Sequence, residues 1–90
     1  MITTNAKVIV TKGCKALAVD KGVSAQIKAI EPLGAEYNYN VRVTFYFLNG
    51  YRGGDTKVFY TRHPNRLADD NVRFNNGSTP SNYFEVKVKA

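Results

Sequence analysis

The chain has 90 residues, enough for one folded domain with a single core, read here as one globular β domain over residues 1–90. Its hydrophobic share of 43% and charged share of 22% exclude the composition of a disordered chain, and no apolar run approaches the ~20 residues of a membrane span. The net charge of +6 suits a polyanionic partner: nucleic acid, a ribosome surface or an acidic protein. Cys14 is the only cysteine, and MITTNAKVIV lacks the charged and apolar regions of a secretory signal. A cytoplasmic location is therefore expected, and the Asn76-Gly77-Ser78 match to a glycosylation acceptor is read as chance.

In chain order, Lys7 to Thr11 reads as a strand with Val8 and Val10 on one side and Ile9 on the other. Thr11-Lys12-Gly13 marks a turn, Lys15 to Val19 a short strand with Leu17 and Val19 inward, and Asp20-Lys21-Gly22 a second tight turn. Val23 to Ile30 fits both a strand and a helical face. Gly22 and Pro32 leave only about two helical turns between them, so a strand with a bulge near Ala29-Ile30 is expected. Leu33 to Asn38 is read as loop, with Tyr37 and Tyr39 flanking the entry to the next strand.

Val41 to Arg62 is the main hairpin. Val41, Val43, Phe45 and Phe47 alternate with Arg42, Thr44 and Tyr46, and the β-rich run from Lys57 follows a loop holding Asn49-Gly50 and Gly53-Gly54. With Asn49-Gly50 as the turn, Val41 lies opposite Val58. With a longer loop, Val43 lies opposite Tyr60. Either register puts Val58 and Tyr60 inward and leaves Arg42, Thr44, Tyr46, Lys57, Phe59 and Thr61 on the other face.

After the hairpin, Pro64 to Asp70 has room for one helical turn, and Val72-Arg73-Phe74 is a short strand or arm. The polar run from Asn75 to Asn82 is a loop. Tyr83 to Lys89 closes the chain as a strand, with Phe84, Val86 and Val88 inward, Tyr83, Glu85, Lys87 and Lys89 outward, and its lysines suited to an exposed edge. Five or six short strands on 90 residues predict an all-β fold: a small antiparallel SH3-like barrel, with an OB-like barrel or a small sandwich as alternatives.

Gly13, the run KALAV, the Asp20-Lys21-Gly22 turn and the apolar run Val23 to Ile30 together resemble the KOW motif of SH3-like barrels. That family includes ribosomal proteins and transcription elongation factors. The resemblance covers about a fifth of the chain and implies a strand–turn–strand unit whose basic loops meet RNA. This sequence departs from the motif in having no acidic residue after Gly13, a short span to Gly22 and no second glycine in Val23-Ser24-Ala25.

Signals for chemistry are sparse. One histidine, His63, and one cysteine, Cys14, assemble no multi-ligand metal site, and Cys14 carries no nucleophile signature. Asp69-Asp70 reads as loop capping, and Gly50, Gly53 and Gly54 as turn residues without phosphate-loop spacing. No cofactor and no catalytic activity are expected. The surface with functional character is the basic and aromatic hairpin: Arg42, Tyr46, Tyr51, Arg52, Lys57 and Phe59, with Lys12, Lys15, Lys21, Arg62, Arg66 and Arg73 extending the field. Cations contact phosphates and aromatic rings stack bases, so RNA or single-stranded DNA is the expected partner. The competing class is a protein–protein module or inhibitor, of phage or mobile-element type, because Tyr and Arg also dominate protein interfaces.

Overall fold

The computed structural model describes residues 1–34 and 38–89, so the Tyr37 half of the flanking-tyrosine reading lies outside the described residues. Six strands form one closed antiparallel barrel in the order β1–β2–β3–β4–β5–β6, with β6 returning to β1. They are β1 (Lys7–Lys12), β2 (Ser24–Pro32), β3 (Val41–Phe47), β4 (Thr56–Thr61), β5 (Val72–Asn75) and β6 (Tyr83–Val88). Among the described residues, two short 3-10 helices, Lys15–Leu17 and Pro64–Ala68, fall in the connections. Every strand pairs with its neighbour in sequence, which sets aside the sandwich and the Greek-key order of an OB barrel.

Closure follows from the alternation. β3 buries Val41, Val43, Phe45 and Phe47, while β6 buries Phe84 and Val86. All five phenylalanines meet inside the barrel: the Phe45 ring lies 4.9 Å from Phe74, 5.6 Å from Phe84 and 5.8 Å from Phe59, each edge to face. Such contacts add to area burial because the positive edge of one ring meets the negative face of another. Ile2 and Leu67 join the same core, and the Ile2 N–H donates to the Leu67 carbonyl at 2.8 Å.

Several expectations are corrected. Val43 stands opposite Phe59 and Val41 opposite Thr61, so β4 has the opposite parity: Phe59 and Thr61 are buried, while Val58 and Tyr60 face outward. The cause is the loop. Phe47 donates to the Asp55 carbonyl at 3.0 Å and Gly54 to that of Phe47 at 2.8 Å, which leaves an odd number of residues, 48–54, between the paired Phe47 and Asp55. Asn49 is drawn away from a two-residue turn because its side-chain oxygen accepts the Ser24 N–H at 2.9 Å. Lys15 to Val19 is not a strand. Cys14 and Val19 bridge each other, and Ala18 takes a left-handed φ of 56° between them. β2 is a strand as expected, with its irregularity between Ile27 and Ala29. β6 is no edge, being paired to β1 and β5 on its two sides.

The weakest seam is between β4 and β5, where Tyr60 opposite Asn75 is the single paired position. Beyond it β4 leads into His63 and Pro64, whose ring nitrogen has no proton to donate, and the chain turns through Pro64–Ala68. The two strands part there and leave a cleft on the barrel surface.

Candidate nucleic-acid interface

The six hairpin residues singled out from the sequence do not form one surface. Arg42 and Tyr46 project from the outer face of β3, half-buried. Tyr51 stands at the loop tip, 83% exposed. Arg52 donates from Nε to the Leu17 carbonyl at 2.8 Å, which pins the β3–β4 loop to the 3-10 turn after β1. Lys57 has the inward register opposite Phe45 but lies at the exposed end of β4. Phe59 is core, 4% exposed, so it offers no ring to a base.

Arg42 is also already engaged. Its guanidinium meets Glu31, its cross-strand neighbour, at 2.8 Å. The hydrogen bond and the charge of Arg42 hold the Glu31 carboxyl below its ordinary 4.5, and Glu31, followed by Tyr60, raises Arg42. Tyr46 keeps one cation in reach, the Lys28 ammonium 5.9 Å from its ring centre.

A denser cation–aromatic cluster lies across β1, β5 and β6. Alternation turns Arg73 outward between Val72 and Phe74, and Tyr83 and Glu85 outward around Phe84. Lys12 would face inward with Val8 and Val10, but the register shifts between Val10 and Lys12 and sets Lys12 opposite Glu85. Lys12, Glu85 and Arg73 thus form one row across β1, β6 and β5.

Tyr83 stands two residues before Glu85 on the same face, and both cations reach it. Lys12 Nζ donates to the Tyr83 hydroxyl at 2.7 Å and sits 4.2 Å from the ring centre, while the Arg73 guanidinium carbon is 4.5 Å from it. The cleft opened by the β4–β5 seam lies alongside, with a volume of about 530 Å³. Arg62, Arg66 and Arg73 line it together with Asn75 and Tyr83, and the carboxylates present are Asp69 and Glu85.

Those carboxylates neutralise the cleft incompletely. Arg66–Asp69 and Arg73–Glu85 are both 3.9 Å apart, at the long end of ion pairing. Exposed pairs of this kind bind weakly and yield to a stronger anion. Among the described residues, no carboxylate lies within ion-pairing distance of Lys12 or Arg62. The Arg62 guanidinium instead lies over the Tyr39 ring at 5.4 Å. Lys12, Arg62, Arg66 and Arg73 already counted as basic in the sequence, and alternation already turned Tyr83 outward. Their convergence was not legible, because it depends on the shift in β1 and on the parting of β4 from β5.

The chain matches no protein-family profile, no curated protein and no solved structure. Among the described residues no group of three His, Cys, Asp or Glu side chains is placed to hold a metal ion, and no helix is long and apolar enough to cross a membrane.

Proposed function

We propose that this chain is a small basic nucleic-acid-binding domain, preferring RNA or single strands, which acts through the cleft beside Tyr83 and catalyses no reaction. The observation that carries this reading is Tyr83 itself, an outward aromatic ring with two cations on it, beside a cleft lined by three arginines. An aromatic ring stacks any base, and surrounding Lys and Arg side chains neutralise phosphates. Lys12 and Arg73 reach Tyr83 from neighbouring strands, so their long side chains can swing to a phosphate while the ring takes a base. Of the hairpin residues, Tyr46 with Lys28 remains as a secondary contact on β2 and β3.

What supports the KOW-type, SH3-like reading of the barrel is the strand–turn–strand order of β1, Asp20-Lys21-Gly22 and β2, with Gly22 donating to the Val10 carbonyl at 2.8 Å. RNA contact through basic loops and a cytoplasmic location belong to the same proposal. A protein-binding role is favoured by a different feature: Leu48, Tyr51 and Val58 are exposed around the β3–β4 hairpin.

The deciding experiment is titration of labelled single-stranded RNA, single-stranded DNA and duplex DNA by fluorescence anisotropy from about 50 to 200 mM salt. Single strands should bind more tightly than duplex, with log K falling linearly in log salt. Absence of binding at about 50 mM salt, where phosphate contacts are strongest, would sink the reading in favour of a protein partner.

A further inference from the structure

The β5–β6 loop separates the arginine cleft from a second one. Pro80 borders the arginine cleft, whereas Asn76 and Ser78 border a concavity of about 390 Å³ on the outer side of β3 and β4. Tyr39, Tyr60, Arg42, Asn38, Leu33 and Gly77 also line it. The volume falls within the range of small-ligand sites, and the mixture of aromatic walls with a few polar groups is what such sites use.

Its walls are fixed in advance. Tyr39 is only 5% exposed, and its ring centre lies 6.5 Å from that of Tyr60 at 40°. Tyr60 is held at the backbone on both sides, by Arg42 on β3 and Asn75 on β5. Gly77 closes against its ring: a Cβ there would come within 3.1 Å of the Tyr60 Cδ1, and the φ of 88° disfavours any side chain at that position. Glu31 fixes one edge of the Arg42 guanidinium and leaves further N–H donors for a ligand.

The two clefts share a wall. Arg62 lines the arginine cleft and lies over Tyr39, which lines the tyrosine cleft. From this geometry we infer that the tyrosine cleft is a slot for one unstacked nucleobase of the strand whose phosphates run along Arg62, Arg66 and Arg73. The inference rests on the nucleic-acid reading and adds to it a second contact, with a base. Tyr60 supplies the flat apolar wall, and the buried Tyr39 ring, tilted against it, backs that wall. Asn38, Ser78 and Arg42 supply donors and acceptors for the edge of the base or its sugar. A strand crossing the loop then leaves phosphate on one side and a base on the other.

Three variants of the slot, a double variant of the arginine cleft and two oligonucleotides test this by anisotropy, with thermal unfolding as the control for fold. Tyr60→Leu removes the ring, Ser78→Trp fills the slot from an exposed loop position, and Tyr60→Phe keeps the ring. With a single-stranded octanucleotide, Tyr60→Leu and Ser78→Trp should each weaken binding on the order of tenfold with the salt slope unchanged, because a lost stack releases few counterions. Tyr60→Phe should bind within about twofold of the parent chain, and an abasic octanucleotide should bind all these proteins alike. If Tyr60→Leu unfolds, Ser78→Trp decides. Should Arg62→Glu with Arg73→Glu abolish binding while Tyr60→Leu and Ser78→Trp leave it unchanged, the slot is overturned and the nucleic-acid reading stands. No binding of either oligonucleotide by the parent chain overturns both.

Discussion

Phe45 and Phe74 meet edge to face across the barrel interior, their ring centres 4.9 Å apart, and neither is measurably exposed. The contact ties β3 to β5, which share no backbone ladder. Phe45→Ala should therefore destabilise the fold by about 3–5 kcal/mol, because lost transfer energy and a residual cavity add. Phe59→Ala should cost a similar amount, and Tyr46→Ala, on the half-solvated outer face, distinctly less. Urea unfolding of the three variants measures this, and equal losses at Phe45 and Tyr46 would contradict the assignment of faces.

The β3–β4 loop makes a sharper test of packing. Gly50 and Gly54 both take left-handed φ, 79° and 87°, but a Cβ on Gly50 would lie 2.6 Å from the Val23 Cγ2 while one on Gly54 meets nothing within 4 Å. Gly54→Ala should lose only the conformational term, about 1–2 kcal/mol. Gly50→Ala should lose more, since Val23 is buried, β-branched and stiff. Equal thermal shifts for the two would show that the loop does not press on Val23.

Glu31 and Arg42 give a pH signature. The folded-state pKa of Glu31 lies below its ordinary 4.5, so whatever stability it contributes is present above that value and is lost as the pH falls through the lowered one. Arg42→Gln should return Glu31 toward 4.5, followed by carboxyl NMR titration, and should flatten the acid limb of stability below about that pH. An unmoved Glu31 titration in Arg42→Gln would mean that the pair does not persist in solution.

Charge and stacking separate in the salt dependence of binding. Arg62→Glu and Arg73→Glu should each weaken single-strand binding and make the slope of log K against log salt shallower by about 0.7 per lost phosphate contact. Tyr83→Ala should weaken binding with the slope nearly unchanged, by roughly 1–3 kcal/mol for one stacked base. A surface acting through charge alone would show slope changes and no effect at Tyr83. Strong effects at Arg42→Glu, with none at Arg73→Glu, would return the interface to the hairpin.

Alternation by itself determined the all-β class, the inward faces of β3 and β6, and the outward stance of Tyr83. Side chains of adjacent residues in a strand point to opposite faces, so this much is a local property. Only the tertiary structure decided how the strands are phased against one another. The hydrogen bond between Asn49 and Ser24, twenty-five positions apart, accompanies the odd-length loop that sends Phe59 into the core and Tyr60 outward. The register shift beside Thr11 turns Lys12 onto Tyr83, and the lone pairing of Tyr60 with Asn75 opens the cleft where the arginines gather. A one-residue change in loop or bulge reverses every face that follows it, and that residue is chosen by contacts from distant strands.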